Sequence, residues 1–473
     1  MLLERRTKIV ATIGPATDPP EVLDRLLAAG TDCVRVNCSH GTEDDLRRRA
    51  RAAREAAARA GRPLALLFDL QGPKLRLAAA TPAADLRADD EVVLVGARPG
   101  EVSEDDRLVV EFPDFAELVT ERSEIVIGDG VPRLVVDEVR GGEVRARAVT
   151  PGGVGPRKGV NVTYARPQLP AMTGKDVRDL ELATELGADF VALSFVRTAA
   201  DVELLREHMA RLGSRARTIA KIEKIEAYEH LDEILAASDG VMVARGDYGI
   251  EAGVARVPLM QKDTIDRATQ RGKLVITATQ MLESMIHSPE PTRAEVADVA
   301  NAVIDGTSAV MLSAETGIGD YPVEAVRVMA EIAVAAEEAP LIHGRARGGQ
   351  PPESAAAAVL HAAVTLADDV GAAALLVPTS TGGGARACAK YRSHRPIIAL
   401  THEDAVANQL QLEWGVHPTG VAVADTVEEL VEGALVAARD FARLEPGSLV
   451  VLTAGRRTGT PGATSLVMLR EIP

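Results

Sequence analysis

Short runs of apolar, β-favouring residues recur along this chain, with amphipathic helical stretches filling the gaps between them. The runs are Lys8–Ile13, Cys33–Val36, Leu64–Phe68, Phe190–Leu193, Thr218–Ile222, Gly240–Val243, Leu274–Thr277 and Ala309–Leu312. Segments such as Pro20–Ala29, Glu43–Ala60, Lys175–Leu186 and Ala199–Leu212 carry the helical spacing. A strand that returns through a helix lies parallel to its predecessor, so the alternation predicts a parallel sheet. Eight such strands close most economically into an α/β (β/α)8 barrel, the TIM barrel.

One connection breaks the rhythm. Between Phe68 and Lys175 lie roughly a hundred residues, far beyond the ~2–6 of an ordinary βα loop. Helical patterning is almost absent there, and short β segments stand out at Glu91–Val95, Arg107–Val110, Glu124–Ile127, Leu134–Val139 and Glu143–Val149. A small all-β lid domain inserted after strand 3 accounts for them. Past the barrel, the Gly-, Arg- and Pro-rich stretch His343–Pro352 reads as a linker. A helix (Ser354–Val370) and strands at Ala374–Pro378, Ile397–Leu400, Val421–Val423 and Leu449–Leu452 then predict a C-terminal open α/β domain. The expected division is 1–72 with 162–340 for the barrel, 73–161 for the insert and 341–473 for the last domain. Three domains suit 473 residues at about 150 each.

Acidic residues outnumber basic ones 69 to 53, a formal charge of −16, which argues against nucleic acid or an anionic membrane as the main partner. No run of ~18 apolar residues and no secretory leader is present, so the expected location is the cytoplasm. Cys33, Cys38 and Cys388 share no metal-type or redox-type spacing and read as reduced thiols.

In a TIM barrel the chemistry sits where strands end and βα loops begin. Read strand by strand, that position carries Arg35, Asn37 and Ser39, then Asp69, then Ser194 and Phe195. Lys221 and Glu223, Arg245 and Asp247, and finally Thr279 follow. Internal salt bridging alone is the bland explanation, but the coincidence with the barrel mouth favours a site. Lys221 and Glu223, two apart on a strand, face the same side. With Asp247 from the next strand, two carboxylates converge in a way that suits Mg2+ or Mn2+. Lys221 is then a fixed positive charge for a transferring phosphoryl group. The segment Val243-Ala-Arg-Gly-Asp-Tyr-Gly-Ile-Glu adds a helix start able to hold a carboxylate, although Arg-Gly-Asp by itself is more often a turn.

Several longer tracts carry a resemblance that spans nearly the whole chain. They are Thr7–Pro15 (TKIVATIGP), Arg35–Gly41 (RVNCSHG), Ala220–Glu223, Ala244–Asp247, Thr277–Met285 (TATQMLESM), Pro291–Glu295, Asp298–Gly306 and Met311–Thr316. Together they resemble the pyruvate kinase family, whose members transfer the phosphoryl group of phosphoenolpyruvate to ADP and yield pyruvate and ATP. The resemblance implies catalytic roles for Lys221, Thr279 and Arg35, and a divalent cation on Glu223 and Asp247. It implies substrate contacts from Arg35, Ser194, Lys221, Ala244, Arg245, Gly246, Asp247 and Thr279, with Thr279 on a proton path that runs through water. Asn37, His40, Arg76 and Lys158 match nucleotide-contacting positions, Lys158 reaching in from the insert. A homotetramer is also implied.

The chain departs from the family's commonest pattern after strand 3, where it reads Asp69-Leu70-Gln71-Gly72-Pro73-Lys74. Among the monovalent-site positions Asn37, Ser39, Asp69 and Leu70, the last has lost a hydroxyl, and Lys74 replaces a glutamate. This pairing resembles a potassium-independent subgroup in which Lys74 supplies the missing positive charge; the plainer reading is a surface lysine on a Gly-Pro turn. Cys38 reads as packing. The tract Lys158–Pro170 lacks a usual glycine, so hinge motion of the lid is expected to differ. Tyr248 replaces a common leucine, with no evident consequence. In the last domain, Thr379, Ser380, Thr381 and Gly383 form a loop able to cradle a phosphate, with Arg456 and Arg457 as a second anion contact. A sugar-phosphate or nucleotide effector is therefore expected, against a decayed site in which glycines have replaced polar residues. Two other functions stay open: an enzyme acting on a different enol phosphate or 2-oxo acid, and a metabolite-sensing pseudoenzyme.

Overall fold

The computed structural model describes residues 3–98, 100, 107–128, 130–163, 169–339, 352–456 and 462–473. Most of the linker, the hinge tract from 164 to 168, the 340/341 division and Arg457 lie outside the described residues.

Eight parallel strands close a barrel: Lys8–Ile13, Cys33–Asn37, Ala65–Asp69, Phe190–Leu193, Arg217–Ile222, Gly240–Ala244, Leu274–Ala278 and Ala309–Leu312. Their residues are buried nearly end to end, as parallel strands covered on both faces must be. Between them lie helices with clear start signals. Thr42 caps Glu43–Ala60 with Asp45 closing a capping box, and Thr292 with Glu295 does the same for Arg293–Asp305. Register is continuous around the closure, with Cys33 opposite both Val10 and Ala65, so the strand ends reach one mouth together.

The insert after the third strand is all β apart from the short helix Phe115–Leu118. Seven strands form one sheet and two form another, around a core that includes Leu77, Leu94, Val110, Phe115 and Ile125. Short strands Leu75–Arg76, Ala84–Leu86, Gly152–Val154 and Gly159–Thr163 had no visible alternation in sequence, because two to five residues are too few to show a period.

The last domain is a five-stranded sheet flanked by helices. One expected strand is misplaced: the edge strand is Val416–Gly420, and Val421–Val423 lies beyond it. Pro418 and Gly420 disguise the true strand, yet proline is tolerated at a sheet edge. The final strand, Thr464–Glu471, runs antiparallel to Leu449–Gly455. This domain docks under the barrel through Lys8 Nζ on the Val416 carbonyl at 2.6 Å and the Gly415 N–H on Arg6 O at 2.9 Å. No helix among the described residues is long and apolar enough to cross a membrane.

Candidate active site

Six charged side chains meet at the barrel mouth, and the strand geometry dictates how they meet. Lys221 projects from the fifth strand and Glu223 from the position just past its end, with Nζ 3.1 Å from Oε1. Lys221 also lies 3.2 Å from Asp69 Oδ1 and donates to Ser194 Oγ at 2.7 Å. Arg35 donates through Nε to Asp69 Oδ2 at 2.7 Å and to Thr12 Oγ1 at 3.0 Å. Asp69 thus holds both cations in place. Burial opposes its charge, but Lys221 and Arg35 outweigh burial and keep its pKa below the usual carboxylate range. Burial likewise opposes the Lys221 ammonium, and Asp69 with Glu223 more than compensates, raising its pKa.

Glu223 behaves oppositely. Burial, reinforced by the charge of Asp247, pushes its pKa up despite Lys221. A buried carboxylate facing a second carboxylate is a site that gains from an added cation. Among the described residues no cluster of three or more metal-ligating side chains exists. Two carboxylates with water and substrate oxygens fit Mg2+, which keeps several waters, better than a cation needing a full protein cage.

Lys74 reaches Asp247 Oδ1 at 3.2 Å and lies 5.9 Å from the centroid of the Phe195 ring. It makes no hydrogen bond to Asn37, Ser39 or Asp69; Asn37 Oδ1 instead accepts from the Ser39 N–H at 3.1 Å. Leu70 is buried in the apolar core, and its carbonyl accepts from Ser194. With Lys74 included, the mouth holds three cations (Arg35, Lys74, Lys221) and three anions (Asp69, Glu223, Asp247).

The loops around this cluster are strained. Thr279 has φ 68°, Gln280 54° and Phe195 56°, a region that β-branched and bulky side chains avoid. Each is tied down. Phe195 N–H donates to Glu223 Oε2 at 2.8 Å, and Thr279 Oγ1 accepts from Gly246 N at 3.0 Å while donating to Ala278 O at 2.6 Å. Arg245 braces the loop rather than facing the mouth: its guanidinium pairs with Asp298 at 2.7 Å and donates to the carbonyls of Ala278, Thr279 and Gln280. The expected substrate contact from the Arg245 side chain is therefore not seen; the residue begins the helix Arg245–Ala252.

A cavity of about 170 Å3 between mouth and insert is lined by Lys74, Arg76, Gly128, Asn161, Lys224 and Asp247 among others. Arg76 donates to Arg157 O, Lys158 is held by the Gly153 carbonyl at 2.6 Å, and His40 is exposed on the rim. Lys224 bridges the two bodies, donating to Asn161 of the insert at 2.9 Å while pairing with Glu251. Sequence reasoning assigned no role to Lys224, Thr12 or Asp298, whose importance lies in what they touch; Thr12 and Asp298 at least fell inside the tracts Thr7–Pro15 and Asp298–Gly306 already singled out. Cys38 is buried and free, its thiol pKa pushed well up by burial, as packing requires. Tyr248 is fully buried with no hydrogen-bond partner for its hydroxyl. In the last domain, Thr379, Ser380, Thr381 and Gly383 line a cavity of about 470 Å3, and Arg456 is exposed beside Gly455.

Comparison with known proteins agrees with this geometry. The family model described as pyruvate kinase, barrel domain, matches residues 4–326, and that for the pyruvate kinase alpha/beta domain matches residues 357–469. A pyruvate kinase of Mycobacterium tuberculosis is 40% identical over 475 residues, covering 99% of each chain. One from Geobacillus stearothermophilus is 40% identical over 99% of this chain and 81% of its own. One from Methylorubrum extorquens is 40% identical over 99% and 98% respectively. A closed parallel barrel with an all-β insert and a C-terminal α/β domain, matched over nearly its full length, makes this chain a phosphotransferase of the pyruvate kinase family.

Proposed function

We propose that the chain transfers the phosphoryl group of phosphoenolpyruvate to ADP without needing K+, and that Lys74 is the reason. The charge balance at the mouth carries this reading. Three cations offset three carboxylates only because Lys74 is present; without it the mouth would hold a net negative charge and need a monovalent cation before an anionic substrate could enter. Buried Leu70 offers no side-chain oxygen to such a cation. Lys74 is partly exposed and its ammonium rests on Asp247, so its charge acts from the divalent side of the mouth.

Arg35 and Lys221 hold the phosphoryl oxygens, with Ser194 orienting Lys221. The N–H groups where the helix starts, around Ala244, Gly246 and Asp247, take the substrate carboxylate. Glu223 and Asp247 would hold the divalent cation, which would supply positive charge to offset the negative charge that develops during transfer. Thr279 passes a proton through water to the enolate carbon, since its own hydroxyl is too weak an acid to act alone. Asn37, His40, Arg76 and Lys158 face the nucleotide side, where the 73–161 insert closes as a lid and keeps water from the phosphoryl group.

The 470 Å3 cavity at Thr379–Gly383 supports an effector bearing a phosphate, with Arg456 next in the chain to Gly455 of its lining. A homotetramer in the cytoplasm rests on family resemblance and composition. The deciding experiment is pyruvate formation from phosphoenolpyruvate, ADP and Mg2+ with K+ or with tetramethylammonium. Equal turnover supports the reading. Turnover only with K+ removes Lys74 from it, and none in either condition points to another enol phosphate.

A further inference from the structure

Where the last domain meets the underside of the barrel, one stretch of the seam carries more positive charge than it pairs. Arg386, Lys390 and Arg392 of the last domain come against Lys273 of the barrel, and Arg217 lies close enough to act on Arg386. Three carboxylates face them, and Glu353 stands 3.8 Å from Lys390; the other two are spoken for. Glu413 is ion-paired with Arg217 at 2.6 Å, and Asp239 accepts from Thr218 N at 2.9 Å and stands 3.8 Å from Arg217. Both are therefore engaged.

Arg386 and Arg392 make no ion pair. Arg386 Nη2 donates to Thr381 O at 2.5 Å, and Arg392 Nη2 donates to Gly306 O at 2.7 Å and Thr269 Oγ1 at 3.4 Å. Arg386 Nη1 and both Nε and Nη1 of Arg392 are buried with no acceptor. Buried donors left unpaired are uncommon and destabilising. Burial lowers the pKa of both guanidinium groups, that of Arg392 to about 10. Between them, Lys273 and Trp414, a crevice of about 10 Å3 has room for about one oxygen-sized group.

We propose that this seam is an anion site, separate from both the barrel mouth and the Thr379–Gly383 cavity. One oxygen of an oxyanion head group (phosphate, sulfate or carboxylate) enters the crevice against Arg386, Arg392 and Lys273, with the rest of the ligand in solvent. Charge-assisted bonds to a planar guanidinium are among the strongest an oxyanion finds on a protein; here three guanidinium nitrogens lack an acceptor, while Lys273 Nζ donates to Ser238 O at 2.7 Å and keeps further N–H groups. Arg386 also sits directly beneath the Thr379–Gly383 loop: a side chain at Gly382 would strike its Nη1 at 2.4 Å. Occupancy of the seam therefore acts on the floor of the neighbouring cavity.

The chain's one tryptophan is Trp414, buried in this crevice with the Arg392 guanidinium 4.6 Å from its ring centroid. Its emission is the readout. The full chain is titrated with inorganic phosphate, sulfate or acetate at constant ionic strength in chloride. A saturable change is expected in at least one arm, and the arm that responds assigns the head group. Affinity is expected to fall by about tenfold or more in Arg386→Gln and less in Lys273→Gln, a milder loss of charge should the first variant fold poorly. Ser380→Ala, in the upper loop, is expected to leave the titration unchanged. No saturable change in any arm, or a change that persists in both Arg386→Gln and Lys273→Gln, overturns the site. So does a change abolished by Ser380→Ala alone.

Discussion

Lys221 on the fifth strand and Glu223, the residue just past its end, bring their charged ends together 3.1 Å apart. The same ammonium serves Asp69 at 3.2 Å, so removing it leaves Glu223 without its cation and Asp69 with Arg35 alone. Lys221→Met is expected to lower kcat about 10²–10³-fold through lost charge stabilisation, and to destabilise the fold by about 3–5 kcal/mol. Steady-state kinetics with Mg2+ and urea unfolding measure the two effects separately. A kcat within threefold of the parent would remove Lys221 from the mechanism.

The charge balance predicts a reversal of cation dependence. Lys74→Glu combined with Leu70→Thr turns the mouth net negative and supplies a hydroxyl oxygen at position 70. Turnover of this variant is expected to rise about tenfold or more when tetramethylammonium is exchanged for K+, an effect of at least ~1.4 kcal/mol. The parent is expected to show none. A variant indifferent to K+ would mean that Lys74 does not carry the missing charge.

Thr279 holds a φ of 68° while accepting from Gly246 and donating to Ala278. Serine keeps the hydroxyl without the β-branch, whereas alanine removes the hydroxyl. Thr279→Ser should retain kcat within a few-fold, and Thr279→Ala should lose about 10²-fold with little change in KM for phosphoenolpyruvate. Equal kcat for the two variants would leave the hydroxyl without a role.

Lys8 is buried between barrel and last domain, and burial lowers its pKa from 10.5 to about 8. The unfolded chain binds this proton up to about pH 10.5, while the folded chain releases it near pH 8. Below pH 8 both states are charged and the penalty of burying charge is fully present. Between pH 8 and 10.5 the unfolded state binds more protons, so stability rises with pH, by about 3 kcal/mol in all. Urea midpoints of the parent relative to Lys8→Met should show this gain across the window. A flat difference would place the titration elsewhere.

The barrel was legible in sequence because a strand covered on both faces must be apolar throughout, and Phe190–Leu193 and Ala309–Leu312 are bounded by clear helical signals. The mouth was legible for a related reason: Arg35, Asp69 and Glu223 are charges set in runs that otherwise exclude charge. The edge strand Val416–Gly420 was not, because what makes it a strand is its pairing with Ile397–Thr401, a partner that local composition does not reveal. Arg245 shows the same limit at the site. Its position in the loop is clear from sequence, but that its side chain turns to Asp298, 53 residues on, is a fact of three-dimensional packing.

Lys224 follows directly after Glu223, and its bond to Asn161, like the pair of Lys74 with Asp247, ties the insert to the barrel. In the proposed lid motion, an insert swinging outward would have to unhook Asn161 from Lys224, the chain neighbour of Glu223. Opening would then pull on the peptide next to the proposed cation ligand, so that water would enter a mouth whose acidic side had already been loosened.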